Sequence, residues 1–451
     1  MKHKIKFTTT QLILLSFLIA IVTGSLLLML PISSATGQSV GYVDALFTAT
    51  TAVCVTGLVT LPTVSSWSFF GQFILLILIQ IGGLGIITIM SGLMISLHKK
   101  MGMKERILIQ DAFNLNTMSG MIRFIKKVML GTFIVEGIGA VLYMLVFVPE
   151  FGLRGVWISV FNSISAFCNA GIDVLSENSL MEYGTHPLVL SVTNSLIVLG
   201  GIGYVVWWDV LRVLKEFKTK KMRCFFGLTL HSKIALSMTA FLLVSGTVLF
   251  FIFEYSNPLT MMNYSLFDKV QASFFQSVTT RTAGFATFPQ ENLTNASAFV
   301  SLLLMFIGGS PVGTAGGVKT VTIAVLIYAA FATIKNEEDV VLFDRTIAKK
   351  TISKSVAVVF VSFMIMCIST ILLSSVTDAP MLDILYETVS ATATVGLTRN
   401  LTSTLNLWGK LIVIVTMYFG RVGPISMIIA FNTSKDKKNI IKNPTEEISV
   451  G

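Results

Sequence analysis

The sequence predicts an all-α, polytopic membrane protein: four parallel helix, pore-loop, helix repeats (eight transmembrane helices, four re-entrant loops) around a pseudo-fourfold axis. Three observations predict this. Of 451 residues, 53% are hydrophobic and only 12% charged, with a mean hydropathy of +0.80, whereas soluble domains carry about 25% charged residues. One eleven-residue plan occurs four times between long apolar runs. Finally, nearly all the positive charge falls on one side of those runs.

The four copies are FTATTAVCVTG (Phe47 to Gly57), FNSISAFCNAG (Phe161 to Gly171), FFQSVTTRTAG (Phe274 to Gly284) and YETVSATATVG (Tyr386 to Gly396). Each is too short and too polar to cross a bilayer core, which needs about 20 apolar residues, so each must dip in and return. Irregular backbone at that depth is tolerated where it is buried in protein or lines a water-filled cavity. The closing glycine reaches φ > 0 without steric cost. Rings of carbonyls turned toward an axis replace the hydration shell of an alkali cation.

In chain order, the first repeat has a span from Leu12 to Leu30, a loop from Tyr42 to Leu58 and a run from Phe69 to Leu97. The basic MKHKIKF start imitates a signal peptide, but the following apolar run is long enough to span. The second repeat reads Val128 to Val148, loop Phe161 to Asp173, then Leu188 to Val213. The third reads Ile234 to Phe253, loop Phe274 to Phe285, then Phe299 to Ile334; the fourth reads Val356 to Leu373, loop Tyr386 to Leu397, then Leu411 to Phe431. The repeats therefore occupy 1–105, 128–216, 234–334 and 356–434, with cytoplasmic linkers 106–127, 217–233 and 335–355 and a tail, 435–451. Two spans per repeat make all copies enter in the same direction, and parallel repeats share an axis along the membrane normal.

Of the 33 Lys and Arg residues, 26 lie before Leu12, from Lys99 to Lys127, from Arg212 to Lys233, from Lys335 to Lys354 and after Phe431; the other side holds Arg154, Lys269, Arg281, Arg399 and Lys410. By the positive-inside rule both termini are cytoplasmic and the loops enter from outside. This distribution accounts for the net charge of +10 without any nucleic-acid partner. Asp44, Asp173 and Glu387 near the loops either attract cations to the mouth or are simply solvated outer-face residues, and the second reading is preferred. The four cysteines form no disulfide framework, and Cys54 and Cys168 read as small packing residues of the loops.

Each second span carries a glycine cluster: Ile81 to Gly85, Leu199 to Gly203, Ile307 to Gly317 and Phe419 to Gly423. The first two read as close helix packing. The third is different. Gly308, Gly309, Ser310 and Pro311, then Gly313, Thr314, Ala315, Gly316 and Gly317, interrupt a 36-residue run too long for one span, so a broken helix is expected, with its unwound part under the loops as a gate. Arg421 in the last span must face the interior or water, since a central charge costs about 2.5 to 3.5 kcal/mol on insertion scales. It reads either as an ion pair with a neighbouring repeat or as a barrier held against the third-repeat segment. Lys319 and Glu136 read as lying near enough to an end to reach water.

The four glycine loops, the GGSPVGTAGGVKT segment and the arginine of FGRVGP together resemble the superfamily of K⁺ transporters and channels that includes bacterial Trk and Ktr and plant HKT proteins. The resemblance covers essentially the whole chain and is nearest to the membrane subunit of a Ktr system. It implies a selectivity filter at Gly57, Gly171, Gly284 and Gly396, with further carbonyls from Val55 and Thr56, Asn169 and Ala170, Thr282 and Ala283, and Thr394 and Val395. Glycine at position 57 implies preference for K⁺, since serine there accompanies Na⁺ transport in plant relatives. The resemblance further implies K⁺ uptake in the bacterial plasma membrane with Na⁺ dependence, no cofactor in this chain, and a homodimer seated on a cytosolic ring of nucleotide-binding regulatory subunits. Val312 stands where the family commonly has glycine, which stiffens the expected gate.

A Na⁺-permeable or poorly selective cation channel is the alternative within the transport class. An intramembrane enzyme is disfavoured, because the four histidines lie outside the spans and no HExxH occurs. GTAGGVKT lacks the Gly-Lys pair of a phosphate-binding loop, and inverted repeats need an odd number of spans per repeat.

Overall fold

The computed structural model describes residues 8–97, 102, 120–216, 221 and 226–423. The expected tail, the parts of the linkers outside those ranges and the end of the last expected span, after Gly423, lie outside the described residues.

Among the described residues, four helices are each long and apolar enough to cross a membrane: α1 (Thr9–Leu28), α5 (Met121–Phe151), α9 (Leu230–Glu254) and α13 (Lys349–Ser374). Their composition dictates this: long apolar runs close all their backbone hydrogen bonds internally, as lipid requires. Side chains such as Leu130, Leu145 and Phe241 stand exposed on their outer faces. A capping box starts α1, Thr8 and Gln11 each accepting the other's backbone N–H.

After each long helix comes a shorter one: α2 (Tyr42–Cys54), α6 (Leu153–Cys168), α10 (Leu266–Thr279) and α14 (Met381–Ala393). Each ends in one of the four loop segments, and each starts several residues before the aromatic residue that marks the copy. These helices are the interior of the molecule. In α2 everything from Phe47 to Cys54 is buried, hydroxyls included.

The descending elements are interrupted. Helix α3 (Phe69–Leu84) turns by 98° into α4 (Ile86–Ser96), and α7 (Pro187–Ile202) turns by 99° into α8 (Tyr204–Lys215). The hinges are Gly85 (φ 81°, ψ 136°) and Gly203 (φ 94°, ψ 138°), and Gly423 at the end of α15 (Leu407–Val422) has the same conformation, φ 87° and ψ 140°. That region is open to glycine and closed to residues with a Cβ. The first two glycine clusters, expected only to pack helices, therefore also bend them. Helix α11 (Asn295–Phe306) stops, and α12 (Thr320–Ile334) resumes after an irregular segment.

Charged staples link the repeats on the loop side. Lys410 pairs with Asp44 at 2.6 Å, joining the fourth repeat to the first. Arg399 pairs with Asp383 at 2.6 Å and donates to the carbonyls of Gln290 and Glu291 in the third. On the opposite side, strands β1 (Val341–Leu342) and β2 (Arg345–Thr346) form a small antiparallel hairpin.

Candidate functional site

The four loop segments follow one backbone path. Two residues before each closing glycine, Val55, Asn169, Thr282 and Thr394 are left-handed, with φ of 55°, 60°, 65° and 51°. The glycines themselves have φ of 100°, 64°, 84° and 98°. A left-handed residue costs a non-glycine side chain of order 1–3 kcal/mol, so four recurrences mark a conformation that the surroundings impose.

The segments also meet. A Cβ built on Gly57 would stand 2.6 Å from the Ala170 carbonyl oxygen, one on Gly171 2.5 Å from that of Ala283, and one on Gly284 2.6 Å from that of Val395; one on Gly396 would strike the Thr56 carbonyl. Each glycine thus faces the carbonyl preceding the next glycine, and the fourth faces the first. The circuit closes in chain order around a common centre, and no side chain fits there.

Hydroxyls of the short helices hold this backbone. Thr51 accepts from the Gly57 N–H (2.9 Å), Ser390 from the Gly396 N–H (3.0 Å) and Ser165 from the Ile172 N–H (3.2 Å). In the third copy Val278 occupies the corresponding place, and the Thr279 hydroxyl donates to the Phe285 carbonyl (2.6 Å) instead. Sequence reasoning missed these residues, although a hydroxyl six positions before the glycine in three copies was a usable signal.

On the side that the charge distribution predicts to face outward, the glycines floor a basin of about 470 Å³, whose lining includes Asp173, Glu177 and Glu291 and, among the described residues, no Lys or Arg. Asp173 is buried, accepting the N–H groups of Leu175 and Ser176, and its burial pushes the carboxyl up to about 6. Glu387 is fully buried and accepts the hydroxyls of Thr398 (2.7 Å) and Thr402 (2.6 Å). With Asp44 paired to Lys410, none of the three is the freely solvated residue expected from sequence. Their positions beside the loops put them into the packing that holds the loops.

On the other side of the loops lies a cavity of about 340 Å³ whose charged lining residues, among those described, are Lys319 and Arg421. The irregular segment is laced to its neighbours there. Gly308 N–H donates to Val318 O (2.9 Å) and Thr320 N–H to Gly309 O (3.1 Å), closing the segment on itself. Ser310 and Thr314 N–H groups donate to Gly201 O (2.8 Å) and Gly200 O (3.1 Å), while Tyr204 N–H donates to Val312 O (3.0 Å). Gly316 lies against Thr394, and Gly313 against the Gly200 and Gly201 carbonyls. Pro311 lies beside the hinge at Gly203, and Ala315 against Gly309. Val312 has φ 63°, so this departure from the family pattern sits where a branched side chain is strained.

Arg421 donates to the carbonyls of Thr314 (2.6 Å), Gly82 and Gly83. Among the described residues no carboxylate pairs with it, so the ion pair considered from sequence is not what holds it. Lys319 donates to Ala315 O (2.7 Å) and is half-buried. Glu136, expected near water, is instead buried between repeats, where Gln80 Nε2 reaches both carboxylate oxygens at 3.1 and 3.3 Å. Arg281, counted with the outer charges, is buried beside Gly308.

A family model described as "TrkH: Cation transport protein" matches residues 2–442. The potassium/sodium uptake protein NtpJ of Enterococcus hirae is 39% identical, with 100% of this chain and 99% of that protein covered. The Ktr system potassium uptake protein B of Bacillus subtilis is 38% identical over 99% and 98%, and that of Vibrio alginolyticus 36% over 100% and 96%. Among solved structures, the potassium transporter TrkH from Vibrio parahaemolyticus superposes with a TM-score of 0.75 at 16% identity, covering 96% of this chain and 86% of that one.

Proposed function

This chain belongs to the TrkH family of cation transport proteins, and from that membership we propose that it takes up potassium across the bacterial plasma membrane through one central pore. The observation that carries the reading is the closed circuit of four glycines and four carbonyls. Backbone oxygens of this kind substitute for the water around an alkali cation, with discrimination set by their number, field and spacing. The C-terminal ends of the four short helices, which carry partial negative charge, lead into the same centre. The filter consists of Val55 to Gly57, Asn169 to Gly171, Thr282 to Gly284 and Thr394 to Gly396, four helix, pore-loop, helix repeats each supplying one quarter.

The segment from Gly308 to Gly317 is the gate, with Lys319 and Arg421 on its inner side. Support comes from its place between the filter residues Asn169 and Thr394 and the cationic inner cavity. Unlike a helix, it is held by scattered hydrogen bonds to the second repeat and to Arg421, which can exchange one by one. Both termini face the cytoplasm. The relatives' designation as proteins of a Ktr system supports a cytosolic regulatory partner, read here as a ring of nucleotide-binding subunits beneath a homodimer; the potassium/sodium designation of another supports Na⁺ dependence.

The test is K⁺ uptake by a bacterium stripped of its own uptake systems, with and without Na⁺, comparing wild type with Gly57→Ser. Wild type restores growth at low K⁺, more so with Na⁺, and the variant loses its preference for K⁺ over Na⁺. Failure of the wild type to move K⁺ in either medium refutes the reading.

A further inference from the structure

In three repeats the loop is joined to the following span by a glycine. Gly82 lies against the Val53 carbonyl, Gly200 against that of Phe167 and Gly420 against that of Thr392, each carbonyl belonging to the residue four before a loop glycine. The third repeat departs from this. Its corresponding residue is Thr280, whose hydroxyl turns back onto the Gln276 and Ser277 carbonyls, and no glycine from Gly308 to Gly317 has Thr280 among its nearest neighbours.

Arg281 makes the join instead. It is 7% exposed, and its Nη2 reaches Gly308 O at 3.4 Å and Thr239 Oγ1 at 3.5 Å. Its Nε has no partner, and Arg281 borders a cavity of about 10 Å³ together with Thr239, Gly201 and Gly309, room for about one water. Among the described residues no carboxylate forms an ion pair with it. An unpaired buried guanidinium is costly, and it persists here two residues beyond the C-terminus of α10, where the helix end favours a cation. Thr282 and Ala283, the third copy's filter residues, follow it directly in the chain.

We propose that Arg281 is a positioning residue for ion discrimination, anchoring the third filter loop to the upper lip of the broken segment in place of the glycine contact used by the other three. The inference rests on the potassium reading above. Its side chain holds the loop at Gly308, the first residue of the segment, and so fixes where the Thr282 and Ala283 carbonyls stand relative to the other three quarters. Rigid placement of such carbonyls is one route to separating K⁺ from Na⁺.

The experiment reconstitutes the full-length protein in liposomes and measures K⁺ and Na⁺ influx per folded protein for wild type, Arg281→Gln, Arg281→Lys and Thr239→Val. The K⁺/Na⁺ ratio falls roughly tenfold in Arg281→Gln, the size expected for a lost hydrogen bond to a charged group. Thr239→Val shifts it less in the same direction, and Arg281→Lys falls between, a point charge lacking the planar fork. A merely structural arginine lowers both fluxes together, so ratios equal to wild type in the variants overturn the proposal. Should Arg281→Gln yield no folded protein, Thr239→Val and Arg281→Lys decide it by the same criterion. A wild type that passes no K⁺ overturns the potassium reading and this inference with it, whereas a selective wild type with unchanged variants overturns this inference alone.

Discussion

The Thr314 hydroxyl donates to Asn169 Oδ1 at 2.7 Å, and the Thr314 carbonyl accepts from Arg421 at 2.6 Å. One residue of the irregular segment therefore touches the loop that ends at Gly171 through its side chain and α15 through its backbone. Asn169 is also one of the four left-handed residues on which the loops turn, so movement of the segment cannot leave that loop unaffected.

Thr314→Val removes the hydroxyl and keeps the shape, leaving Asn169 Oδ1 without its buried donor. The expected outcome is a looser segment and a basal K⁺ flux raised several-fold, consistent with about 1–3 kcal/mol for an orphaned buried acceptor. Flux into liposomes without any cytosolic partner measures it; an unchanged basal flux refutes the coupling.

Arg421→Gln removes a cation that spans three carbonyls on two elements. Basal K⁺ flux should rise by about tenfold, because both the electrostatic barrier and the strap go. Arg421→Lys should give an intermediate value, since an ammonium does not reach both sides with a fixed fork. A variant that loses thermal stability with no rise in flux per folded protein indicates a structural arginine only.

Glu387→Ala strands the Thr398 and Thr402 hydroxyls behind the fourth loop. Stability should fall by about 1–3 kcal/mol per unpaired group, and K⁺ preference should fall because the stretch that carries both hydroxyls continues the chain from Gly396. Glu387→Gln, which can still accept one of the two, should lose less on both counts. Melting in detergent and K⁺/Na⁺ flux ratios measure the two effects separately.

The Asp173 carboxyl, raised by burial to about 6, is ionised above that pH and neutral below it. Its negative charge at the outer basin raises the local cation concentration. Uptake at subsaturating K⁺ should therefore fall as external pH drops through about 6, chiefly as a rise in the K⁺ concentration for half-maximal uptake. Asp173→Asn should show the low-pH behaviour at all pH values. A wild-type pH profile retained in the variant assigns the titration elsewhere.

The aromatic-to-glycine plan marked the four loop ends, because glycine takes positive φ without the cost that a side chain incurs there. Five glycines and a proline likewise announced the interruption between Phe306 and Thr320. The hinges at Gly85 and Gly203 were hidden, since a glycine cluster serves helix contact and helix bending equally well, and only backbone direction tells them apart. Arg281 and Glu387 were misplaced for a related reason: a charge beside a polar loop looks solvated until the packing around it is known.

Apolar run lengths, the period of the loops and the side on which lysine and arginine fall are properties of short stretches, and by themselves they determined a mainly helical membrane protein with four copies of one loop plan. Which groups complete the site belonged to the tertiary structure. Arg421 meets Gly82 across 339 positions of chain, and the glycine circuit closes only when the fourth loop returns to the first. Contacts of that kind depend on the register between distant helices, which no local stretch of residues encodes.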